Sequence, residues 1–479
     1  MWRGAINHYL YQIYEMAHLG LIPARVLSDL TRLSLKNPMN PMTYTALGRN
    51  LAASAELFER LTRRYSKPGF GVNKAVVSGK DVAVQERVVW ERPFCRLLHF
   101  QRDVKLSRPQ PRLMIVAPLS GHYATLLRGT VEAFLPSHEV YITDWTDARM
   151  VPWPERFDLD DYIDYLIEMC HVLSKDPFGE GLHALGVCQP CVPVIAAVAR
   201  MEADERPCVP SSMTLMSGPI DPRRSPTVVN VLAERRGTEW FRRHCISTVP
   251  FPHPGMGRPV YPGFLQLSSF VAMNPGRHVN AHVEMFNHLV RGDDDSAEKH
   301  REFYDEFLAV MDLTAEYYLQ TIETVFVRHA LPRSEMMHRG QKVDLKAIRH
   351  AGLMTVEGEK DDISGVGQTS AAQDLCSSIP VLRKAHYTQN GVGHYGVFNG
   401  SRFRAEIAPR ISNFIANVNQ RPEIVGYSNA RAPKPVADQQ NVKSLLGLAH
   451  LRINSVVNSL GAQFNHMKPG SRSCHQRSV

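Results

Sequence analysis

"HALGVCQPCVPVIAAVARM", residues 183–201, decides how the chain is read. A short, mostly apolar run ends at Gly186, a cysteine follows at 188, and apolar residues at helical spacing begin at once. Two cysteines three apart are open to four interpretations. Cys188-Gln-Pro-Cys191 has the C-x-x-C form of a redox pair, but it falls deep inside a long pattern of alternating strands and helices. Zinc needs four ligands, and here neither a second C-x-x-C nor more than the nearby His183 is available. Two ordinary half-buried cysteines remain the bland alternative. The fourth is a nucleophile elbow: Gly186 is the small residue two before the nucleophile, which such a turn needs where strand and helix backbones meet. Pro190 replaces the usual second glycine and would sit at the helix start, where a missing N–H costs little.

The flanking text supports the elbow. "RLMIVAPLS" (112–120), "HEVYITDW" (138–145), "GLHALGV" (181–187) and "SSMTLMSGPID" (211–221) read as short strands. "DDYIDYLIEMCHVLS" and "PVIAAVARMEA" between them read as helices. This rhythm is that of a mostly parallel sheet with crossover helices. It stops for roughly 130 residues after 217, far beyond an ordinary loop, and resumes with "AGLMTVEGEKDD" (351–362) and "KAHYTQNGVGHYGVFNG" (384–400). The interruption holds Pro-rich text and "EKHREFYDEFLAVMDLTAEYYLQTIETVFVRHA" (298–330), a long helical stretch. Four units follow: an N-terminal helical segment (1–80), an α/β core (81–217 and 346–420), an inserted helical cap (218–345), and a linker with a basic extension (421–479).

Composition bounds the function. The 479 residues carry a net charge of +8. From residue 430 on, seven Lys or Arg stand against Asp438, so the extension supplies +6 and the body is nearly neutral. Nucleic-acid binding by the body is therefore not supported. Eight scattered cysteines suit a reduced compartment rather than a disulfide scaffold. The N-terminus, with Glu15 where an apolar h-region would lie, does not read as a signal peptide, and no apolar run reaches membrane-spanning length.

Order along the chain adds the chemistry. Elbow enzymes run nucleophile, acid, histidine. Asp361 and Asp362 stand just past one late strand, and His394 lies in a Gly-rich loop past the next. Singly, each is as well read as a solvated loop acid or a structural histidine; three in the right order at strand ends favour a triad.

The blocks "PLSGHYATLLRGTVEAFLP", "VYITDWTDAR", "DLDDYIDYLI", "GVCQPCVPV", "VYPGFLQL", "MDLTAEYYLQT", "TVEGEKDDISGVGQT" and "GVGHYGVFNG" resemble the intracellular polyhydroxyalkanoate (polyhydroxybutyrate) depolymerases, up to about residue 420. The resemblance implies an α/β-hydrolase fold, a cytoplasmic enzyme at the surface of polymer granules, and a triad of Cys188, Asp361 and His394. Asp361 is the first acid after G-E-K in the family pattern. Cys191 stands where that pattern has serine.

The expected mechanism is ester cleavage. A free thiol, with a pKa of about 8.5, needs a base at neutral pH; His394 would take its proton, oriented by Asp361. Backbone N–H groups of Gln189, after the nucleophile, and of Leu119 or Ser120 would bind the oxyanion. His122 and Tyr123 are candidate pocket residues, His122 shaping the site rather than moving protons. No metal or bound cofactor is expected. Coenzyme A could replace water as acyl acceptor, giving a thioester instead of a hydroxy acid. Cys191 is either inert or the partner of Cys188 in an oxidative off-switch.

Apolar residues of the cap suit a polyester chain, although most would pack the cap itself. The first helix and "NVKSLLGLAHLRINSVVNSLGAQF" (441–464) are candidate docking elements for a granule; packing on the core, or a loose extension, is the plain alternative. Two other functions compete with the depolymerase: a polyhydroxyalkanoate synthase-type acyltransferase, whose elbow keeps glycine where Pro190 stands, and a non-catalytic granule-surface protein. The oligomeric state is left open, a dimer included.

Overall fold

The structure is a computed structural model that describes residues 2–106, 108–175, 180–273 and 275–420. The 421–479 linker and extension lie outside the described residues. Nine strands form the main sheet: β1 (Lys74–Val77), β2 (Lys80–Arg92), β3 (Cys95–Arg102), β4 (Pro111–Val116), β5 (Glu139–Trp145), β6 (Glu180–Val187), β7 (Ser212–Met216), β8 (Gly352–Gly358) and β9 (Lys384–Gln389). Their spatial order is β1-β2-β3-β5-β4-β6-β7-β8-β9. β1, β2 and β3 pair antiparallel, and β3 pairs antiparallel with β5. From β5 to β9 every pairing is parallel.

Burial explains the two halves. β7 and β8 are buried at every position, and β4 and β5 at all but the first. Such strands have to be continuous apolar runs, because helices cover both faces. β2 is exposed along most of its length, as an antiparallel margin can be.

Three helices precede the sheet: α1 (Trp2–Gly20), α2 (Ile22–Lys36) and α3 (Ala46–Thr62). Within the core lie α4 (Arg128–Phe134), α5 (Leu159–Ser174) and α6 (Cys191–Ala203). α5 opens on a capping box, Asp158 and Asp161 each accepting the other's backbone N–H. The interval between β7 and β8 holds α7 (Val228–Cys245), α8 (Gly263–Met273), α9 (Pro275–Arg291), α10 (Asp294–Phe307) and α11 (Ala315–Thr321). Closing the described chain, α12 (Ala408–Gln420) packs against α4 and the central strands. This is the expected α/β-hydrolase fold. No described helix is long and apolar enough to cross a membrane.

The long helical stretch expected over 298–330 is helical in two parts, broken between α10 and α11. Backbone N–H groups of the break are claimed by other elements: Met311 donates to the Gly121 carbonyl (2.7 Å) and Asp312 to Asp147 Oδ1 (3.2 Å). Leu313 pairs with Tyr261 in a short antiparallel ladder. Tertiary hydrogen bonds thus override a favourable helical spacing. The break buries Asp312, and Thr314 then caps α11.

Asp312 belongs to a buried polar cluster shared by three parts of the chain. Its Oδ2 accepts the Tyr11 hydroxyl of α1 (2.6 Å), and its Oδ1 accepts the Gly263 N–H (2.9 Å). Asp147, just past β5, pairs with Arg149 (2.9 Å) and accepts the Tyr123 hydroxyl (3.3 Å). Burial pushes the Asp312 carboxyl up to about 7, Asp147 adding to the effect and Arg149 opposing it.

Candidate active site

Strand register brings the loops to one edge. Val116 of β4 lies beside Gly186 of β6, Val187 beside Met216 of β7, Met216 beside Val356 of β8, and Gly358 beside Gln389 of β9. Residues 117–123, 188–190, 359–370 and 390–397 therefore all leave the carboxyl ends of neighbouring strands, where sites form in open α/β sheets.

Cys188 sits in the tight turn between β6 and α6 with φ of 68°, a left-handed value that a non-glycine residue adopts at a cost. Its N–H donates to the Met216 carbonyl (2.7 Å), and its own carbonyl accepts the Cys191 N–H (3.1 Å). Two glycines make room. A β-carbon on Gly186 would lie 3.3–3.4 Å from Val194 and the Cys191 backbone. One on Gly218 would overlap the Cys191 side chain and stand 2.6 Å from the Cys188 carbonyl oxygen. The elbow is thus packed from strand, helix and the turn after β7 together.

His394, 5% exposed, accepts no solvent-facing role. Its Nδ1 lies 2.8 and 3.0 Å from the two oxygens of Asp361, and Cys188 lies near enough to act electrostatically on its ring. Burial alone would lower the imidazole pKa. The adjacent Cys188 and Asp361 outweigh it and hold His394 well above its usual range. Asp361 is buried too, which would raise its pKa; His394 and the N–H groups of Ser364 (2.8 Å) and Ile363 (2.9 Å) reverse that and keep it below the usual range. Asp362 is exposed. The three expected triad residues are brought together.

Gln189, Leu119 and Ser120 flank the elbow from two sides. Among the described residues none of their backbone N–H groups is taken by another protein group. The 117–120 loop is pinned through its carbonyls. Ala117 accepts Trp145 Nε1–H (2.8 Å) and the Tyr162 hydroxyl (3.4 Å), while Leu119 accepts the Tyr317 hydroxyl (3.2 Å). A trans peptide opposes its C=O and N–H, so the Tyr317 bond also sets the direction of the Ser120 N–H.

His122 Nε2 and the Tyr123 hydroxyl are engaged elsewhere. His122 is buried, its Nε2 3.1 Å from the Phe307 carbonyl, and burial lowers its pKa to about 4. It is a neutral ring that ties the loop to α10. The Tyr123 hydroxyl is spent on Asp147. Cys191 is fully buried, its thiol directed at the carbonyls of Gly186 (3.3 Å) and Met216 (3.5 Å). Burial, with Cys188 nearby, pushes its pKa well up, the opposite of a reactive thiol.

Three supporting residues escape a sequence reading. Glu357 at the end of β8 is buried and accepts backbone N–H groups of Gly367 (3.0 Å), Thr369 (2.9 Å) and Ser370 (2.8 Å), shaping the loop that carries Asp361. Thr369 Oγ1 accepts the Gly218 N–H (2.8 Å) and donates to its carbonyl (3.0 Å), joining that loop to the turn against the elbow. Tyr317 is the third. The available signals are faint: an acid inside an otherwise apolar strand, and a tyrosine three after a capping threonine.

Over residues 217–419 the sequence matches the family model described as PHB de-polymerase C-terminus. It is also similar to the poly(3-hydroxyalkanoate) polymerase subunit PhaC of Haloferax mediterranei, at 25% identity over 391 residues, covering 79% of this chain and 72% of that one. Solved structures with some likeness include the α/β hydrolase GrgF from Penicillium sp. sh18 (14% identity, 71% of this chain and 99% of that chain, TM-score 0.40). A thermophilic esterase from Thermogutta terrifontis is another (13% identity, 72% and 98%, TM-score 0.35). The chain is an α/β-hydrolase-fold protein with sequence similarity to a polyhydroxyalkanoate polymerase and, over residues 217–419, to the PHB depolymerase C-terminal region.

Proposed function

We propose that this chain is a cysteine acyltransferase of polyhydroxyalkanoate esters, working through a thioester on Cys188. The observation that carries the reading is His394 held between Asp361 and Cys188. A proton passes from the thiol to His394, and the imidazolium is stabilised by Asp361. Sulfur attacks an acyl carbonyl, the oxyanion is met by the Gln189 N–H and one from Leu119 or Ser120, and the carbon–oxygen bond of the ester breaks. His394 returns the proton to the leaving alkoxide. Attack of a second acceptor on the thioester, its proton taken by His394, frees Cys188.

The direction of transfer depends on donor and acceptor. Elongation loads Cys188 from a hydroxyacyl thioester, releasing a thiol, and passes the acyl group to a polymer hydroxyl. The polymerase similarity over 79% of the chain supports this direction. Cleavage loads Cys188 from the polymer and passes the group to water, or to coenzyme A. The depolymerase match over the acid and histidine loops supports that one, as does Pro190 at the elbow. Of the two, the longer similarity favours elongation.

The test is product analysis with purified protein, given amorphous polyhydroxybutyrate in one arm and 3-hydroxybutyryl-CoA in the other. Polymer with released CoA establishes elongation; hydroxy acids, oligomers or their CoA thioesters establish cleavage. Cys188→Ala has to abolish either. Adhesion to polymer with no turnover in either arm rejects the enzyme reading.

A further inference from the structure

The N-terminal helices expose an apolar seam where a soluble surface would be polar. α1 runs into α2 with helical hydrogen bonding kept across Leu21, whose N–H donates to the Ala17 carbonyl (3.1 Å) and whose carbonyl accepts the Arg25 N–H (3.0 Å). Along this rod Tyr9, Met16, Leu19, Val26, Leu30 and Leu33 are 54–69% exposed. They fall on the a and d positions of one heptad frame, with Gln12 and Pro23 at the remaining two. α3 repeats the frame with Leu47, Leu51, Phe58 and Leu61, Ser54 filling the gap.

The inner side of α2 is polar instead. Arg25 donates to the carbonyls of Thr62 (2.5 Å) and His18 (2.9 Å), Ser28 to that of Ala55 (3.0 Å), and Lys36 pairs with Glu56 (2.9 Å). No residue of α2 is buried. The α2–α3 hairpin therefore turns its apolar side outward.

We propose that a second copy of this chain docks on α1–α3, closing the two seams into an intermolecular helical bundle. A sustained 3.5-residue spacing is what knobs-into-holes packing against another helix demands; adsorption to a featureless apolar surface imposes no such register. At roughly 100 Å² for each half-exposed side chain, the ten seam residues offer about 1,000 Å² per copy, above the about 800 Å² per partner of a standard interface. A helical hairpin with a seam on each arm can meet its own two-fold copy, arm against arm, so the contact closes as a dimer. Several of the nearby cations are paired within the molecule, which lowers the charge opposing it: Arg32 with Asp29, Arg60 and Arg63 with Asp305, and Arg64 with Glu15, while Arg25 and Arg49 donate to backbone carbonyls. The inference is independent of the chemistry at Cys188.

Sedimentation velocity of the full chain at micromolar concentration tests it. Wild type should be a dimer, as should Leu382→Glu, which alters an exposed leucine far along the chain from the seams. The double variant Leu30→Glu/Leu51→Glu should be a monomer with unchanged far-UV circular dichroism. If the double variant is insoluble, Leu33→Lys, at the end of the seam, should weaken the dimer at least tenfold. A monomeric wild type overturns the proposal, as does a dimer that survives these substitutions. A monomeric wild type whose adsorption to polyester particles or anionic vesicles is lost in the double variant assigns the face to that surface and equally overturns it.

Discussion

Gly218 and Cys191 lie so close that a β-carbon on the glycine would overlap the cysteine side chain. The turn after β7 thus braces the first turn of α6, and through it the left-handed backbone at Cys188. Gly218→Ala should cost about 1–3 kcal/mol in stability, the range for overpacking a filled interior. Thermal denaturation reads the loss, and turnover should fall with it because Cys188 is displaced.

Asp361 meets His394 Nδ1 with both oxygens. Asp361→Asn leaves the shape but presents an amide that can favour the wrong tautomer. It should lower kcat by about 10³–10⁴, with a native circular dichroism spectrum. Burst kinetics with a chromogenic ester should show that acylation of Cys188 is the step that slows.

Tyr317 reaches the Leu119 carbonyl from α11, which follows the break at Asp312. Tyr317→Phe removes the hydroxyl and keeps the ring. It should lower kcat about tenfold with KM unchanged, less than the loss of a direct oxyanion donor. An equal rise in KM with kcat preserved would show that Tyr317 serves ground-state binding instead.

Asp312 keeps its proton in the folded protein to about pH 7, whereas an unfolded aspartate loses it near 3.8. Between these values the folded state binds more protons, so this group's contribution to stability falls as pH rises, by up to about 1.4 kcal/mol per pH unit. Above about pH 7 it levels off. Asp312→Asn should flatten the decline, seen as a melting temperature that changes less between pH 5 and pH 7 than in wild type.

Much of the site is legible in the sequence because its logic is local. Gly186-Val-Cys188 at a strand end describes an elbow before any coordinates exist, and the order Cys188, Asp361, His394 follows from chain topology. Tyr317, Glu357 and Thr369 act across gaps of 151 to 198 residues or through backbone N–H groups, for which no periodicity or motif exists. Asp312 is hidden for a related reason. Its helical surroundings in the sequence are apolar and regular, and only the competing donors at Met311 and Gly263 explain why the helix stops there.

Tyr11, Asp312 and Asp147 tie the first helix, the inserted region and the sheet at one buried point. The inserted region is held to both at Asp312, so movement at that point would break hydrogen bonds to each of them. Removing the amino-terminal helix would therefore take the Tyr11 hydroxyl from the buried Asp312 carboxyl while leaving Cys188, Asp361 and His394 in the chain.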